Sequence, residues 1–254
     1  MIKVLPFILA VLLLIPGPGM ADNSIRVVSL NAPPMIMVKN DKITGLAADL
    51  AKEAFHRAGY SPQLQLVPWK RALYMVTNGQ ADALFYAIYT EERAKVLRYP
   101  SIPLFTIDLV ALKRAKSAIV IKPNFRGLQQ WVLGVGRGFT YGPKAQRFID
   151  GAAFNRIETT NNNELGFRKL LGNRIDLHIM DKALAHHFLA DPKDGHKADY
   201  VRDEQGEIYI IDSLKGYMVF SRQTTSKTDV ALFTKALESM HEDGTYQKIL
   251  DTYQ

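Results

Sequence analysis

Two short stretches with the same grammar constrain this chain most. Asn78-Gly79-Gln80-Ala81-Asp82 and Gly172-Asn173-Arg174-Ile175-Asp176 each close a helical segment on a glycine and lead into an apolar strand. Glycine takes the left-handed conformation that ends a helix, and a short apolar run after such a stop reads as a buried strand. Alternating helices and strands build α/β layers with helices on both faces of a sheet. The same unit at two places in 254 residues predicts two related lobes, each of roughly 100 residues.

The other elements agree with this alternation. Strands are predicted at Ser24–Leu30, Pro62–Val67, Asp82–Tyr89, Thr106–Leu112, Trp131–Val135, Arg156–Thr159, Ile175–Met180, Ile208–Leu214 and Tyr217–Ser221. Helices are predicted at Leu46–Ala58, Pro68–Val76, Pro143–Ile149, Asn163–Leu171, Lys182–Leu189, Thr228–Asp243 and Thr245–Thr252. Leu97–Leu104, with Pro100 and Pro103, reads as loop. The segments 22–112 and 213–254 are expected to form the first lobe and 113–212 the second, with hinges near Val110–Lys113 and Asp212–Gly216.

The start of the chain is read separately. Met1-Ile2-Lys3 is a short basic opening, Val4–Ile15 is apolar apart from Pro6, and Pro16-Gly17-Pro18-Gly19-Met20-Ala21 breaks the run. This pattern predicts a signal peptide over 1–21, cleaved after Ala21. The run is short of the ~20 residues that span a bilayer. With no cysteine in the sequence, an exported protein has to rely on its core rather than on disulfides. A periplasmic location and a monomer are expected. The net charge of +7 is scattered, with no basic run that would mark a nucleic-acid partner.

Three polar positions could carry chemistry. Thr90-Glu91-Glu92-Arg93 follows a strand end: Thr90 can cap a helix, and Arg93 either pairs with a glutamate or meets an anion. Gly134-Val135-Gly136-Arg137-Gly138-Phe139-Thr140 turns off a strand towards a helix start, whose free N–H groups favour anions. It lacks the glycine spacing of a dinucleotide site, and a carboxylate on the Thr140 N–H and hydroxyl is the better match. Asp181 ends a strand and could hold an ammonium or cap the helix from Lys182. Trp69, Tyr86 and Phe139 could wall a ligand pocket or belong to the core. His186, His187 and His196 lack metal-ligand spacing, so neither a metal nor a cofactor is expected. No catalytic residue is assigned.

Taken in order, these pieces resemble the family 3 periplasmic solute-binding proteins of the polar amino-acid-binding type. The resemblance rests on Ile43-Thr44-Gly45-Leu46-Ala47-Ala48-Asp49-Leu50, on Asn78–Ala83 through Thr90–Arg93, and on Gly134–Thr140. It continues through Gly172–Asp176 to Asp181 and ends in Ala236-Leu237-Glu238 and Glu242–Leu250. It implies a two-lobed α/β fold, type II of the periplasmic-binding-protein class, with two crossovers and the ligand in the cleft. It implies that Arg93 and Thr140 clamp a ligand carboxylate and that Asp181 takes an α-ammonium. Trp69, Tyr86 and Phe139 would shape the pocket.

Pro68-Trp69-Lys70-Arg71-Ala72 resembles a divergent proteobacterial branch of the family, and the strand before Arg93 is one residue shorter than usual and aromatic. The function implied is periplasmic binding of an amino acid or similar small polar solute by hinge closure, for a membrane permease or a receptor. The alternatives are a cyclohexadienyl-dehydratase-like enzyme on the same fold, with Asp181 as its acid, and a ligand-sensing partner of a membrane receptor.

Overall fold

The computed structural model describes residues 23–253; the expected signal peptide, 1–21, lies outside them. The first lobe begins with β1 (Ser24–Ser29), β2 (Met37–Lys39), β3 (Lys42–Thr44), α1 (Leu46–Arg57) and β4 (Ser61–Leu66). It continues with α2 (Trp69–Thr77), β5 (Ala83–Ile88), α3 (Glu91–Val96) and β6 (Leu97–Arg98). β7 (Phe105–Arg114) crosses to the second lobe. There follow β8 (Val120–Ile121), β9 (Val132–Gly136), α4 (Gly142–Gly151), β10 (Arg156–Thr160) and α5 (Asn163–Leu171). β11 (Leu177–Asp181), α6 (Lys182–Leu189), β12 (Ala198–Tyr200) and β13 (Arg202–Asp203) complete it. β14 (Asp212–Ser221) returns, and α7 (Lys227–Glu242) and α8 (Thr245–Asp251) close the chain.

One sheet runs through both lobes in the order β10-β9-β11-β7-β14-β5-β1-β4. β1 lies parallel to β4 and β5 in the first lobe, and β9 lies parallel to β10 and β11 in the second. The long strands β7 and β14 pair antiparallel with each other from Phe105↔Gly216 to Leu109↔Asp212. Beyond that stretch β7 pairs with β11, up to Lys113↔Leu177, and β14 pairs with β5, up to Phe220↔Ala83.

The two repeated sequence units do the same job. Asp82 N–H donates to Arg26 O, and its carboxylate accepts from Arg26 N–H at 2.8 Å and from the Arg26 guanidinium at 2.7 Å. Asp176 N–H donates to Val132 O, and its carboxylate accepts from Val132 N–H at 2.9 Å and from the Arg114 guanidinium at 2.6 Å. In both lobes the aspartate after the glycine thus ties down the neighbouring parallel strand, with a bidentate arginine pair in the first lobe (Arg26) and a single charge-assisted bond from β7 (Arg114) in the second.

Apolar faces close over this frame. Phe55 of α1, Phe220 of β14 and Phe233 of α7 meet at 4.8–6.0 Å between ring centroids and are fully buried. Phe167 of α5 stacks on Phe188 of α6 at 4.7 Å in the second lobe.

Three expectations are corrected. The predicted strands Ile208–Leu214 and Tyr217–Ser221 are one strand, β14, and Ile208 contributes only an isolated bridge to Arg202. Gly216 reads locally as a break, yet it keeps the strand continuous. A Cβ there would stand 2.8 Å from the Phe105 ring, so glycine is what lets the crossovers approach. Leu97–Arg98, read as loop, pairs with β14. Val110–Lys113, read as hinge, is a strand segment paired to β11; the part of β7 that pairs only with β14 lies before it, at Phe105–Asp108.

Two buried polar groups tie this frame together. Asp212, 6% exposed, accepts from Lys144 N–H at 3.0 Å and Ala145 N–H at 3.2 Å, so a crossover strand caps α4. Asp212→Ala is expected to cost about 1–2 kcal/mol, read from urea unfolding.

His178 is fully buried beneath α5, with Nδ1–H donating to Gly134 O at 3.1 Å. A Cβ at Gly166 would meet its Nε2 at 2.1 Å, so glycine makes the helix fit over the ring. Burial pushes the His178 imidazolium down to about 4. The unfolded chain therefore binds a proton that the folded chain refuses between pH 6.5 and about 4. Stability is fully present above this window and falls as pH drops through it, by roughly 3 kcal/mol from this group. His178→Gln is expected to flatten that part of the melting-temperature profile; an unchanged slope would contradict the assignment.

Candidate functional site

The C-terminal ends of the parallel strands of both lobes face one cleft, the place where open α/β sheets hold ligands. Arg93, Thr140, Asp181, Trp69, Tyr86 and Phe139 all line a single cavity there. Its open volume is about 60 Å³. The first lobe supplies Trp69 at the start of α2, Tyr86 from β5 and Arg93 from α3; the second supplies Phe139 and Thr140 between β9 and α4, and Asp181 at the end of β11.

Arg93 is placed by its own helix start. Thr90 Oγ1 accepts from Arg93 N–H at 3.1 Å and caps α3. The guanidinium is folded back into the cleft, where Nη1–H donates to Ile88 O at 2.9 Å and the group lies 5.2 Å from the Trp69 ring centroid. That is cation–π range. Arg93 is 9% exposed, and no carboxylate of the described residues lies within 4.0 Å of it. Burial pulls its pKa below the ordinary value. A desolvated cation without a counter-charge calls for an anion.

Thr140 borders the same space, and neither its N–H nor its hydroxyl is engaged by another described group. The helix start behind it is a different matter. The sequence places free N–H groups at this helix start, and two of them, Lys144 N–H and Ala145 N–H, are taken by Asp212. The glycine turn is held instead by Gly136 N–H donating to Tyr141 Oη.

Asp181 has two partners. Its Oδ1 accepts from Ala183 N–H at 2.7 Å and caps α6. Its Oδ2 accepts from the Tyr86 hydroxyl across the cleft. Burial raises the Asp181 carboxyl above the usual range, and the Tyr86 and backbone bonds offset only part of that. Burial, together with the Asp181 charge, pushes the Tyr86 phenol well above its usual value.

Tyr86 reaches Asp181 because β5 carries a bulge. Ala87 pairs with Tyr217 and Leu84 with Val219, so β5 spends one residue more than β14 over this step. Tyr86 sits there at φ 76°, a conformation that costs a residue with a Cβ on the order of 1–3 kcal/mol. Ser29 Oγ–H donates to the Phe85 carbonyl in the bulge at 3.0 Å, and the Tyr86 ring packs on Phe105 of the crossover at 5.0 Å. A second bond spans the lobes: Trp69 Nε1–H donates to Gly138 O at 3.0 Å. The Trp69 and Phe139 rings meet edge-on at 6.3 Å.

Several wall residues escaped the sequence reading. Ile107 and Leu109 come from β7, Met180 from β11, Leu184 from α6 and Asn163 from the start of α5. Asn163 Oδ1 is buried without a partner. The apolar residues among them carry no local signal, because strand and helix residues of this kind are usually core. Asn163 follows Asn162, whose side chain is the helix cap, and carries no local signal of its own.

No curated protein matches the chain in sequence. Among solved structures, an ancestral arginine-binding protein bound to arginine has a TM-score of 0.76 at 21% identity, covering 91% of this chain and 98% of that one. The arginine-, lysine-, histidine-binding protein ArtJ from the thermophilic bacterium Geobacillus stearothermophilus gives 0.74 at 20%, covering 91% and 94%. A histidine kinase sensor domain with similarity to periplasmic binding proteins gives 0.77 at 15%, covering 91% and 95%. At such identities the likeness is one of fold. Residues 25–254 match the bacterial extracellular solute-binding proteins, family 3, and the chain belongs to that family.

Proposed function

We propose that this protein captures a small carboxylate-bearing solute, an amino acid or a similar compound, between its lobes and hands it to a membrane permease or presents it to a receptor. The observation that carries this reading is Arg93: a buried guanidinium with no carboxylate partner among the described residues, sharing the wall of the interlobe cavity with an unengaged Thr140. A ligand carboxylate would accept from Arg93 and from Thr140, and the Trp69 face would hold the guanidinium in place between ligands.

The lobes would open about Phe105–Asp108 and Ser213–Lys215, where each crossover pairs only with the other. Ligand would shift the open–closed balance by its extra contacts in the closed form. Export through a signal peptide to the periplasm, and action as a monomer, complete the reading. We read the protein as a binder rather than a dehydratase because the acid such an enzyme would need, Asp181, has both oxygens engaged, one by the backbone of α6 and one by Tyr86.

Arg93→Ala is expected to weaken the binding of any carboxylate ligand found in a thermal-shift screen at least ~tenfold, the effect of losing a charge-assisted hydrogen bond. An affinity within twofold of wild type by calorimetry would remove the clamp from the proposal. Trp69→Phe keeps a ring but deletes the bond to Gly138. A loss of about 1 kcal/mol is expected, seen as a fall of roughly 2–4 °C in the melting temperature of the ligand-free protein.

A further inference from the structure

The place where an α-ammonium would dock is already filled by the protein itself. Among the described residues, Asp181 is the only carboxylate on the cavity wall. Its Oδ1 is bound to the backbone of α6, and the Tyr86 hydroxyl covers Oδ2. The hydroxyl is not there by chance of rotamer. The bulge in β5 puts Tyr86 at φ 76°, and Phe105 packs against its ring. A residue with a Cβ is held in that backbone region only when its surroundings over-determine it.

Apart from the Thr140 hydroxyl, which the carboxylate takes, the wall offers Asn163 Oδ1, a neutral amide oxygen, and one such group does not offset a buried ammonium. The remaining wall is apolar: Ile88, Ile107, Leu109, Met180, Leu184 and the Phe139 ring.

Resting on the reading of Arg93 as a carboxylate clamp, we infer that the ligand is a small monocarboxylate with an apolar body and no α-ammonium, and that Tyr86 sets this preference by donating to Asp181 in the ammonium's place. Arg93 is answered by the ligand carboxylate, and Asp181 is answered within the protein by the α6 N–H and the Tyr86 hydroxyl. An amino acid would have to break the Tyr86–Asp181 bond or bury its ammonium without a counter-charge. A ligand cation at the far end of a side chain would find no second carboxylate on the wall among the described residues.

The test is a set of matched pairs differing only in the α-amino group: butanoate with L-2-aminobutanoate, 4-methylpentanoate with L-leucine, and 3-phenylpropanoate with L-phenylalanine. Each is titrated calorimetrically into the wild type, Arg93→Ala and Tyr86→Phe proteins at neutral pH. In the wild type at least one carboxylate is expected to bind tenfold or more tightly than its amino acid. Tyr86→Phe is expected to move that ratio at least tenfold towards the amino acid, because Asp181 Oδ2 is released. Arg93→Ala is expected to abolish both. Amino acids that bind the wild type as tightly as their partners, or more tightly, overturn this inference and leave the carboxylate clamp standing. Binding of neither member of any pair, or binding that survives Arg93→Ala, overturns the clamp and the inference with it. Should Tyr86→Phe fail to fold, the wild-type ratios decide.

Discussion

β7 and β14 lie antiparallel over Phe105–Leu109 and Asp212–Gly216, and both lobes hang from their outer halves. The far end of β7 belongs to the sheet of the second lobe, and the far end of β14 to that of the first. A bend in the shared stretch would therefore move whole sheets, while each lobe keeps its own ladder. Ladder hydrogen bonds resist change in register because a one-residue slip turns every side chain to the wrong face. Phe55, Phe220 and Phe233 pack together in the first lobe and Phe167 with Phe188 in the second, while a larger buried cluster runs on from Phe55 to Phe148 across the crossovers. Asp212 adds a brace at the junction, since it caps α4 of the second lobe from a strand that returns to the first.

The cleft that this frame creates holds two buried charged residues from opposite lobes, Arg93 and Asp181. They do not pair with each other. Removing each from water costs free energy, and the protein offsets only part of it. Arg93 has one carbonyl and an aromatic face, whereas Asp181 has a helix N–H and a phenol. The imbalance leaves the cation as the less satisfied group, and this is the physical basis for expecting an anionic head group there. The Tyr86–Asp181 and Trp69–Gly138 bonds also hold the two lobes together across the cavity. A ligand that enters has to compete with them or work around them.

Much of the architecture can be read along the chain because its signals are local. Glycine stops, the cap at Thr90 and the aspartates of the two repeated units each act within a few residues or on the nearest strand. Arg93 could be placed at a strand end for the same reason. The errors lie where a distant strand decides. Gly216 looked like an interruption until Phe105 explained it as a point of close approach. Val110–Lys113 looked like a free crossover until β11 claimed it. The α4 start looked open to an anion until Asp212, far along the chain, was found on it.

The sequence alone determined the alternating α/β layers, the two related lobes and the presence of a cation at a strand end, because hydrophobic period, helix stops and caps are properties of neighbouring residues. It showed that the strand before Arg93 was aromatic. It could not show what those aromatics do. Tyr86 and Asp181 are 95 positions apart, and their contact depends on one extra residue in β5 relative to β14. That bulge is a matter of register between strands, which no local pattern encodes. Only the tertiary structure could turn a tyrosine of the strand into the partner of the second lobe's carboxylate.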